Sequence, residues 1–233
     1  MLEVSALCAH YGRAQILHGL DLSVAAGEVH VLVGRNGAGK STTLKAIMGL
    51  LPPSGGRIIF AGQSIAGREP FEIARLGIGY VPEDRRIFAE LSVAENLEVG
   101  RRPPRPGLAP WTRERIFALF PPLAALERRP AGRTSGGEQQ MLAIARTLMG
   151  HPRLILLDEP SEGLAPVILA RLGEALLALK AEGIGILLCE QNLRFAARVA
   201  DRASLIERGR IVWSGPMAEL LADAALRARH LAV

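Results

Sequence analysis

One run of eight residues at 34–41, Gly-Arg-Asn-Gly-Ala-Gly-Lys-Ser, constrains the chain more than any other feature. It agrees with the pattern G-x-x-x-x-G-K-[ST] at every specified position. Glycines in such a loop let backbone N–H groups turn towards phosphate oxygens, and the start of a following helix adds a positive field. An apolar run precedes the loop, and helical spacing follows it over 40–48. The sequence therefore predicts a buried strand, a phosphate-binding loop and a helix, in that order.

The side chains that follow the last glycine of this loop are the ones expected to meet phosphate and metal. Lys40 can reach the β- and γ-phosphates of a nucleotide, and the Ser41 hydroxyl can hold Mg²⁺. The predicted nucleotide-binding residues of the segment are Asn36, Gly37, Ala38, Gly39, Lys40, Ser41 and Thr42.

A second apolar run, 154–157, ends in two acidic residues, Asp158 and Glu159. A buried strand that ends in a carboxylate places it at the carboxyl edge of the sheet, where open α/β sheets bind ligands. Asp158 is predicted to hold Mg²⁺ through water, and Glu159 to polarise the attacking water. Alone, such a run is equally typical of a strand that meets solvent. Together with the phosphate loop it indicates a nucleoside triphosphatase.

Short apolar runs alternate with helical spacing along the rest of the chain. Residues 20–33 are predicted to form a hairpin-like arrangement, and the segment around Gly209 a second turn between strands. Helical spacing over 89–150 is interrupted by the proline-rich stretch 101–107, a predicted surface connection. A further helix is expected to begin at Pro166. This alternation predicts a mostly parallel sheet covered by helices, with a helical insert near the middle.

Composition and charge exclude several classes of protein. With 233 residues, 49% of them hydrophobic, the chain is long enough for one domain with a sizeable core. It contains neither an apolar stretch long enough to span a bilayer nor a visible secretory signal, so we expect a cytosolic chain. Cys8 and Cys189 are expected to be small buried residues in a reducing compartment.

The net charge of +5 allows an anionic partner, but the distribution of charge does not favour nucleic acid. Only three of the 28 basic residues are lysines, and the arginines are scattered. Aromatic residues make up 4% of the chain, too few for a base-stacking platform. An arginine-rich solvated surface is the preferred interpretation.

Residues 134–140, Thr-Ser-Gly-Gly-Glu-Gln-Gln, lie shortly before Asp158 and resemble the signature sequence of ATP-binding-cassette (ABC) proteins. The consensus of that family begins with leucine, so Thr134 departs from it. In the family two cassettes pair head to tail, and each ATP lies between the phosphate loop of one and the signature of the other. The resemblance therefore implies that Ser135, Gly136 and Gly137 bind ATP and that Tyr11 stacks on adenine; a core or surface tyrosine is the alternative.

The resemblance covers essentially the whole chain and implies an α/β fold of the P-loop nucleoside-triphosphatase type. A RecA-like core with a mostly parallel sheet is expected, with an N-terminal antiparallel β subdomain and an α-helical signature subdomain. The implied division is a single nucleotide-binding domain over 1–233. Residues 1–83 and 153–233 form the core with its β subdomain, and 84–152 form the helical subdomain.

Two departures from the usual cassette pattern narrow the resemblance. Glu83 stands where cassettes usually carry glutamine, and Gln191 where they usually carry histidine. This combination is similar to the second ATPase subunit of bacterial importers for branched-chain amino acids, or of relatives that import amides or urea. Both residues are candidates for the catalytic set, and Glu83 also for the metal site. Gln191 can donate a hydrogen bond to phosphate but cannot carry the charge of imidazolium.

These departures suggest a subunit that works beside a different cassette, with two unequal composite sites; tolerated substitution is the alternative. The resemblance further implies ATP and Mg²⁺, a second ATPase subunit in a hetero- or homodimer, and membrane permease subunits. An extracytoplasmic binding protein would act indirectly, and the location would be peripheral, on the cytoplasmic side of the bacterial inner membrane. The segment 85–88 is expected to face the permease, with a solvated charged loop as the alternative.

Three other functional classes are alternatives to an importer subunit. Cassettes that act on nucleic acid or ribosomes usually join two cassettes in one chain or carry long coiled-coil inserts, which this chain lacks. A small-molecule kinase shares the phosphate loop but has no need for the Ser-Gly-Gly run. A lipid or polysaccharide exporter driven by a similar cassette stays open, because substrate choice would rest with the permease.

Overall fold

The computed structural model describes residues 1–107 and 109–231, which form two sheets and the helices around them. Four strands form an antiparallel sheet in the order β2-β1-β4-β5. Along β1 and β2 buried and exposed side chains largely alternate, because one face of the sheet packs on the core and the other meets solvent. These strands are β1 (Leu2–Tyr11), β2 (Ala14–Val24), β4 (Gly55–Phe60) and β5 (Gln63–Ser64).

The second sheet has six strands in the order β10-β9-β3-β8-β7-β6. All its pairings are parallel except that of β10 with β9. Strands β3, β7 and β8 are buried along their whole length, as expected for parallel strands covered on both faces. The strands are β3 (Val29–Val33), β6 (Ile78–Val81), β7 (Leu154–Asp158), β8 (Gly185–Glu190), β9 (Arg202–Glu207) and β10 (Arg210–Pro216).

Helices cover both faces of this sheet and fill the expected insert between β6 and β7. The helices are α1 (Lys40–Ile47), α2 (Pro70–Leu76), α3 (Val93–Gly100), α4 (Arg113–Leu119), α5 (Pro121–Ala125), α6 (Gly136–Leu148), α7 (Pro166–Ala181), α8 (Leu193–Val199), α9 (Met217–Ala222) and α10 (Ala224–Leu231). No helix among the described residues is long and apolar enough to cross a membrane.

Successive side chains of the central strands enter two different apolar clusters. On β3, Val31 belongs to the cluster that includes α6 and α7, whereas Leu32 belongs to the one that includes α1 and the antiparallel sheet. Neighbouring residues of a strand point to opposite faces, so one short run supplies both cores. The expected α/β fold, with a mostly parallel sheet, an antiparallel sheet and helices, is confirmed.

The hairpin predicted over 20–33 is wrong. Strand β2 pairs with β1, Val24 lying opposite Leu2, whereas β3 lies in the other sheet between β8 and β9. Both edges of β3 are already used in parallel pairing, so the turn at 25–27 carries the chain from one sheet to the other. The predicted turn at Gly209 does join two antiparallel strands, β9 and β10.

The expected burial of the two cysteines is observed for only one of them. Both thiols are free; Cys189 is buried as expected, but Cys8 is partly exposed.

The proline-rich stretch 101–107 forms neither helix nor strand. Arg105 binds this stretch to neighbouring segments, since its guanidinium donates to the carbonyls of Ala74, Arg75 and His151 at 3.0, 2.7 and 2.8 Å.

Candidate active site

The loop at 34–41 joins the end of β3 to the start of α1, and its glycines are required by close packing. A Cβ on Gly34 would lie 2.5 Å from the carbonyl oxygen of Ile206. Gly39 has φ 112°, and its Cβ would lie 2.9 Å from a methyl carbon of Leu17. Gly39 is also the N-cap of α1, so no side chain caps the first N–H groups of this helix. Those N–H groups are therefore available to an anion.

Lys40 is buried, with its side chain 3% exposed. Its Nζ donates to the carbonyls of Gly34 and Arg35 at 2.8 and 3.2 Å and forms an ion pair with Glu159 Oε1 at 3.0 Å. Three oxygens thus compensate the burial of this ammonium group. The geometry joins the phosphate loop to the predicted water-polarising carboxylate.

Asp158, at the end of β7, is held from two sides. Ser41 Oγ donates to one carboxylate oxygen at 2.8 Å, and the Tyr80 hydroxyl donates to the other at 3.3 Å. Burial raises the pKa of Asp158 above its ordinary value; the two hydrogen bonds oppose this, and the charges of Glu159 and Glu83 add to it. Burial and the nearby Asp158 likewise raise the pKa of Tyr80.

The donor set suits Mg²⁺, which prefers hydroxyl, carboxylate and water oxygens and is often held by one or two protein groups plus substrate phosphates. Ser41 and Asp158 supply such oxygens in direct contact. No cluster of three His, Cys, Asp or Glu side chains suited to a metal occurs over 1–107 and 109–231. A magnesium ion here would therefore depend on phosphate and water for its remaining ligands.

Glu159 and Gln191 meet beside the phosphate loop. Gln191 Nε2 lies 2.7 Å from Glu159 Oε2 and 2.5 Å from Asn36 Oδ1 and donates to both. With the Lys40 ion pair, these contacts form a continuous chain from the phosphate loop through two further loops. Asn36 and Gln191 also line a cleft of about 480 Å³ beside the loop.

Glu83 lies on the exposed segment that follows β6. No hydrogen bond or ion pair of its side chain is found among the described residues. Glu83 affects the site electrostatically, because its negative charge helps to raise the pKa of Asp158. Tyr11 ends β1 opposite Ala14 and is 47% exposed, which leaves its ring accessible for stacking.

The Ser-Gly-Gly run lies at the start of helix α6, in the helical insert between β6 and β7. Ser135 is the N-cap: it accepts from the Glu138 N–H at 3.4 Å, and Glu138 accepts from the Ser135 N–H at 2.7 Å. A Cβ on Gly137 would lie 2.8 Å from Ile168 Cγ2, and one on Gly136 would lie 3.0 Å from Arg85.

Within the described chain, no hydrogen bond or ion pair joins Ser135, Gly136 or Gly137 to the phosphate loop. The structure therefore brings the phosphate-loop residues together with Asp158, Glu159 and Gln191, but not with the Ser-Gly-Gly run. The Thr134 hydroxyl donates to the Ala131 carbonyl at 2.7 Å, which gives the threonine a local role in the turn before α6.

Sequence reasoning missed two residues of the site, Tyr80 and Glu190. Tyr80 lies on β6 and pairs in register with Leu156 of β7, close to the end of the sheet. Glu190 ends the fully buried strand β8, as Asp158 ends β7. The same signal, an apolar strand that ends in a carboxylate, could therefore have identified Glu190.

Comparison with known proteins agrees with this geometry. The family model described as "ABC transporter" matches residues 17–162. The chain is 41% identical over 231 residues to the high-affinity branched-chain amino acid transport ATP-binding protein BraG of Pseudomonas aeruginosa, covering 99% of each chain. It is 36% identical to the probable branched-chain amino acid transport ATP-binding protein LivF of Archaeoglobus fulgidus, covering 95% of this chain and 94% of that one.

Among solved structures, an ATP-binding cassette of an ABC transporter in its ADP conformation superposes with a TM-score of 0.81 at 29% identity. The match covers 97% of this chain and 96% of that one. The phosphate loop, the buried Asp158 and the Ser-Gly-Gly helix thus occur in a chain that shares its fold, over almost its entire length, with a solved ATP-binding cassette. The chain belongs to the ABC transporter family, as an ATP-binding subunit that hydrolyses ATP to energise transport.

Proposed function

We propose that this subunit energises the import of branched-chain amino acids. The support for the substrate class is the resemblance to BraG and LivF over almost the entire chain. The permease and an extracytoplasmic binding protein would select the amino acid. The subunit itself would sit peripherally on the cytoplasmic side of the bacterial inner membrane.

The observation that carries the catalytic assignment is the chain of contacts from Lys40 through Glu159 to Gln191. Lys40 would hold the β- and γ-phosphates, and Glu159 would position water for attack on the γ-phosphate. Gln191 would orient Glu159 and donate to phosphate. Mg²⁺ held by Ser41 and Asp158 would neutralise charge on the phosphates. Glu83 would be a further carboxylate at this edge.

The Ser135–Gly137 run would complete the site of a second cassette. This explains why the run makes no hydrogen bond or ion pair with the described phosphate loop of its own chain. Tyr11, exposed at the end of β1, would stack on adenine.

The proposed division of the chain keeps 1–83 and 153–233 as the core with its β subdomain and 84–152 as the helical subdomain. The replacements at Glu83 and Gln191 favour a partner cassette of different sequence.

The permease would dock at the segment 85–88. Arg85 and Arg86 both have positive φ, 60° and 48°, so the segment is a strained turn. Phe88 is 47% exposed and stacks on Arg146, whereas Ile87 packs against the core and is half-buried. Phe88 is therefore the better probe of docking.

Steady-state ATP hydrolysis tests the catalytic assignment. Wild type, Glu159→Gln and Glu162→Gln are compared across protein concentrations with Mg²⁺; Glu162 is an exposed carboxylate of the same loop and serves as the matched control. A rate per chain that rises with concentration and is lost only in Glu159→Gln supports a self-pairing, competent cassette. Equal rates in wild type and Glu159→Gln would refute the assignment. If ATP binds without turnover, adding a second cassette captured with the permease must restore a rate that depends on Glu159.

A further inference from the structure

Glu190 is a buried carboxylate that has no role in the proposed ATPase mechanism. It is 2% exposed, and none of the ion pairs among the described residues includes it. An isolated buried charge is costly unless several hydrogen bonds compensate it.

Four donors converge on this carboxylate from two loops. The Ser161 N–H lies 3.1 Å from Oε1, and the Ser161 hydroxyl lies 2.8 Å from Oε2. The N–H groups of Gln191 and Asn192 lie 3.2 and 3.3 Å from Oε2. Only a carboxylate side chain offers two acceptor oxygens and no donor to such a set.

The two loops held in this way carry the proposed catalytic pair. Ser161 follows Glu159 by two residues in the loop after β7, and Gln191 directly follows Glu190 after β8. The pair is also joined directly, because Gln191 Nε2 donates to Glu159 at 2.7 Å. A shift of either loop would therefore change the position of Glu159.

Glu159 needs support on both sides because its backbone is strained. Its φ of 46° lies in the left-handed region, which non-glycine residues rarely adopt. On one side its N–H donates to the Cys189 carbonyl at 3.0 Å. On the other side its carbonyl accepts from the Glu162 N–H of the same loop at 3.2 Å, and the nearest contact of this loop with another segment is the double contact of Ser161 with Glu190.

We propose that Glu190 is a positioning residue for ATP hydrolysis: its carboxylate ties the loop that carries Glu159 to the loop that carries Gln191. It acts through these residues and touches neither nucleotide nor the attacking water, so the inference rests on the roles proposed for Glu159 and Gln191. Loss of the tie lowers the rate of the chemical step and leaves nucleotide binding largely intact, because no hydrogen bond or ion pair among the described residues joins Glu190 to the phosphate loop.

Kinetics of Glu190→Gln test this division. The amide keeps the shape but replaces one acceptor oxygen with a donor that faces other donors. We expect kcat to fall about 10- to 100-fold, as for a displaced catalytic group, with KM for ATP within about twofold. Glu162→Gln, which removes the same charge from an exposed position of the loop, is expected to match wild type. An unchanged kcat in Glu190→Gln, while Glu159→Gln abolishes turnover, would overturn the inference but leave the proposed function standing.

A double-mutant cycle separates positioning from general destabilisation. Ser161→Ala alone removes one of the four donors and is expected to lower kcat about fivefold. If Glu190 acts through Ser161, then Ser161→Ala has little further effect in the Glu190→Gln background. Independent, multiplicative effects of the two changes would contradict the tie. Thermal unfolding of each variant verifies that it is folded at the assay temperature.

Amide hydrogen exchange gives a readout that does not depend on turnover. In Glu190→Gln, peptides that cover 159–163 and 190–193 are expected to exchange about tenfold faster than in wild type. Peptides from the antiparallel sheet serve as the internal reference and should not change. Unchanged protection of both loops would refute the tie even if activity fell, whereas faster exchange in both loops supports it.

Discussion

The pH dependence of stability is the sharpest quantitative consequence of the buried Glu190. Burial is the main cause that raises the pKa of this carboxyl from 4.5 to about 7, opposed by the hydrogen bonds from Ser161 and Asn192 and reinforced by the charge of Glu159. In the unfolded chain the carboxyl titrates at its ordinary value. The folded protein therefore binds a proton that the unfolded chain releases between these two pH values.

This difference in proton binding determines whether the free energy of unfolding rises or falls with pH. Because the folded state holds the proton more tightly, the contribution of Glu190 to the free energy of unfolding is largest below pH 4.5 and is lost as the pH rises through about 7. At 1.36 kcal/mol for each pH unit, the full span corresponds to about 3 kcal/mol. Between pH 8 and pH 5 most of it, about 2 to 3 kcal/mol, should be recovered.

Urea unfolding of wild type and Glu190→Gln at pH 5, 6.5 and 8 measures this contribution. Other groups also change protonation with pH, so only the difference between the two proteins is used. Wild type should gain about 2 to 3 kcal/mol relative to the variant on going from pH 8 to pH 5. Altered hydrogen bonds in the variant add an offset that does not depend on pH. A difference that stays constant within about 0.5 kcal/mol from pH 5 to pH 8 would refute the reasoning. The proposed tie requires the charged form of Glu190. This form would thus lower the free energy of unfolding at neutral pH.

Three further predictions concern other parts of the site. Gly137→Ala should lower the free energy of unfolding by about 1 kcal/mol despite the better helix propensity of alanine, because the new Cβ would lie 2.8 Å from Ile168 Cγ2; chemical denaturation measures this, and Ile168→Ala in the same chain should cancel the clash. Asp158→Asn should raise the Mg²⁺ concentration for half-maximal ATPase activity about tenfold or more, as measured by Mg²⁺ titration, and an unchanged requirement would contradict the metal assignment. Phe88→Ser should reduce co-purification with the permease while ATP binding by the free subunit stays unchanged; intact assembly would argue against docking at this segment.

The local parts of the site could be predicted from the sequence because each is written in a short contiguous run. The phosphate loop needs only a strand, glycines, a lysine and a helix start, and all of these lie within 29–47. Asp158 follows the same logic, since a fully buried strand can meet ligand only at its end. The family resemblance added the Ser-Gly-Gly helix and the positions of Glu83 and Gln191, whose roles remain predictions.

Apart from the partial exposure of Cys8, the failures involve pairing between distant segments. The apolar runs at 20–24 and 29–33 look like a hairpin because they are adjacent in sequence, yet β3 gains more by parallel pairing with β8 and β9 inside the core. Tyr80 carries no local motif of its own, and the buried strand that ends in Glu190 indicates only that this carboxylate lies at the sheet edge, not which groups hold it. Each becomes part of the site only because neighbouring strands bring it beside Asp158 or Ser161.

The sequence by itself determined that the chain binds and hydrolyses a nucleoside triphosphate on a mostly parallel sheet, because backbone geometry and side-chain chemistry over a few consecutive residues suffice for a phosphate cradle. Only the tertiary structure decided which strands lie side by side and therefore which polar groups share a buried edge. Hydrogen bonds such as those of Glu190 join loops separated by 29 residues, and their geometry depends on the register of β7 against β8, which no local pattern specifies.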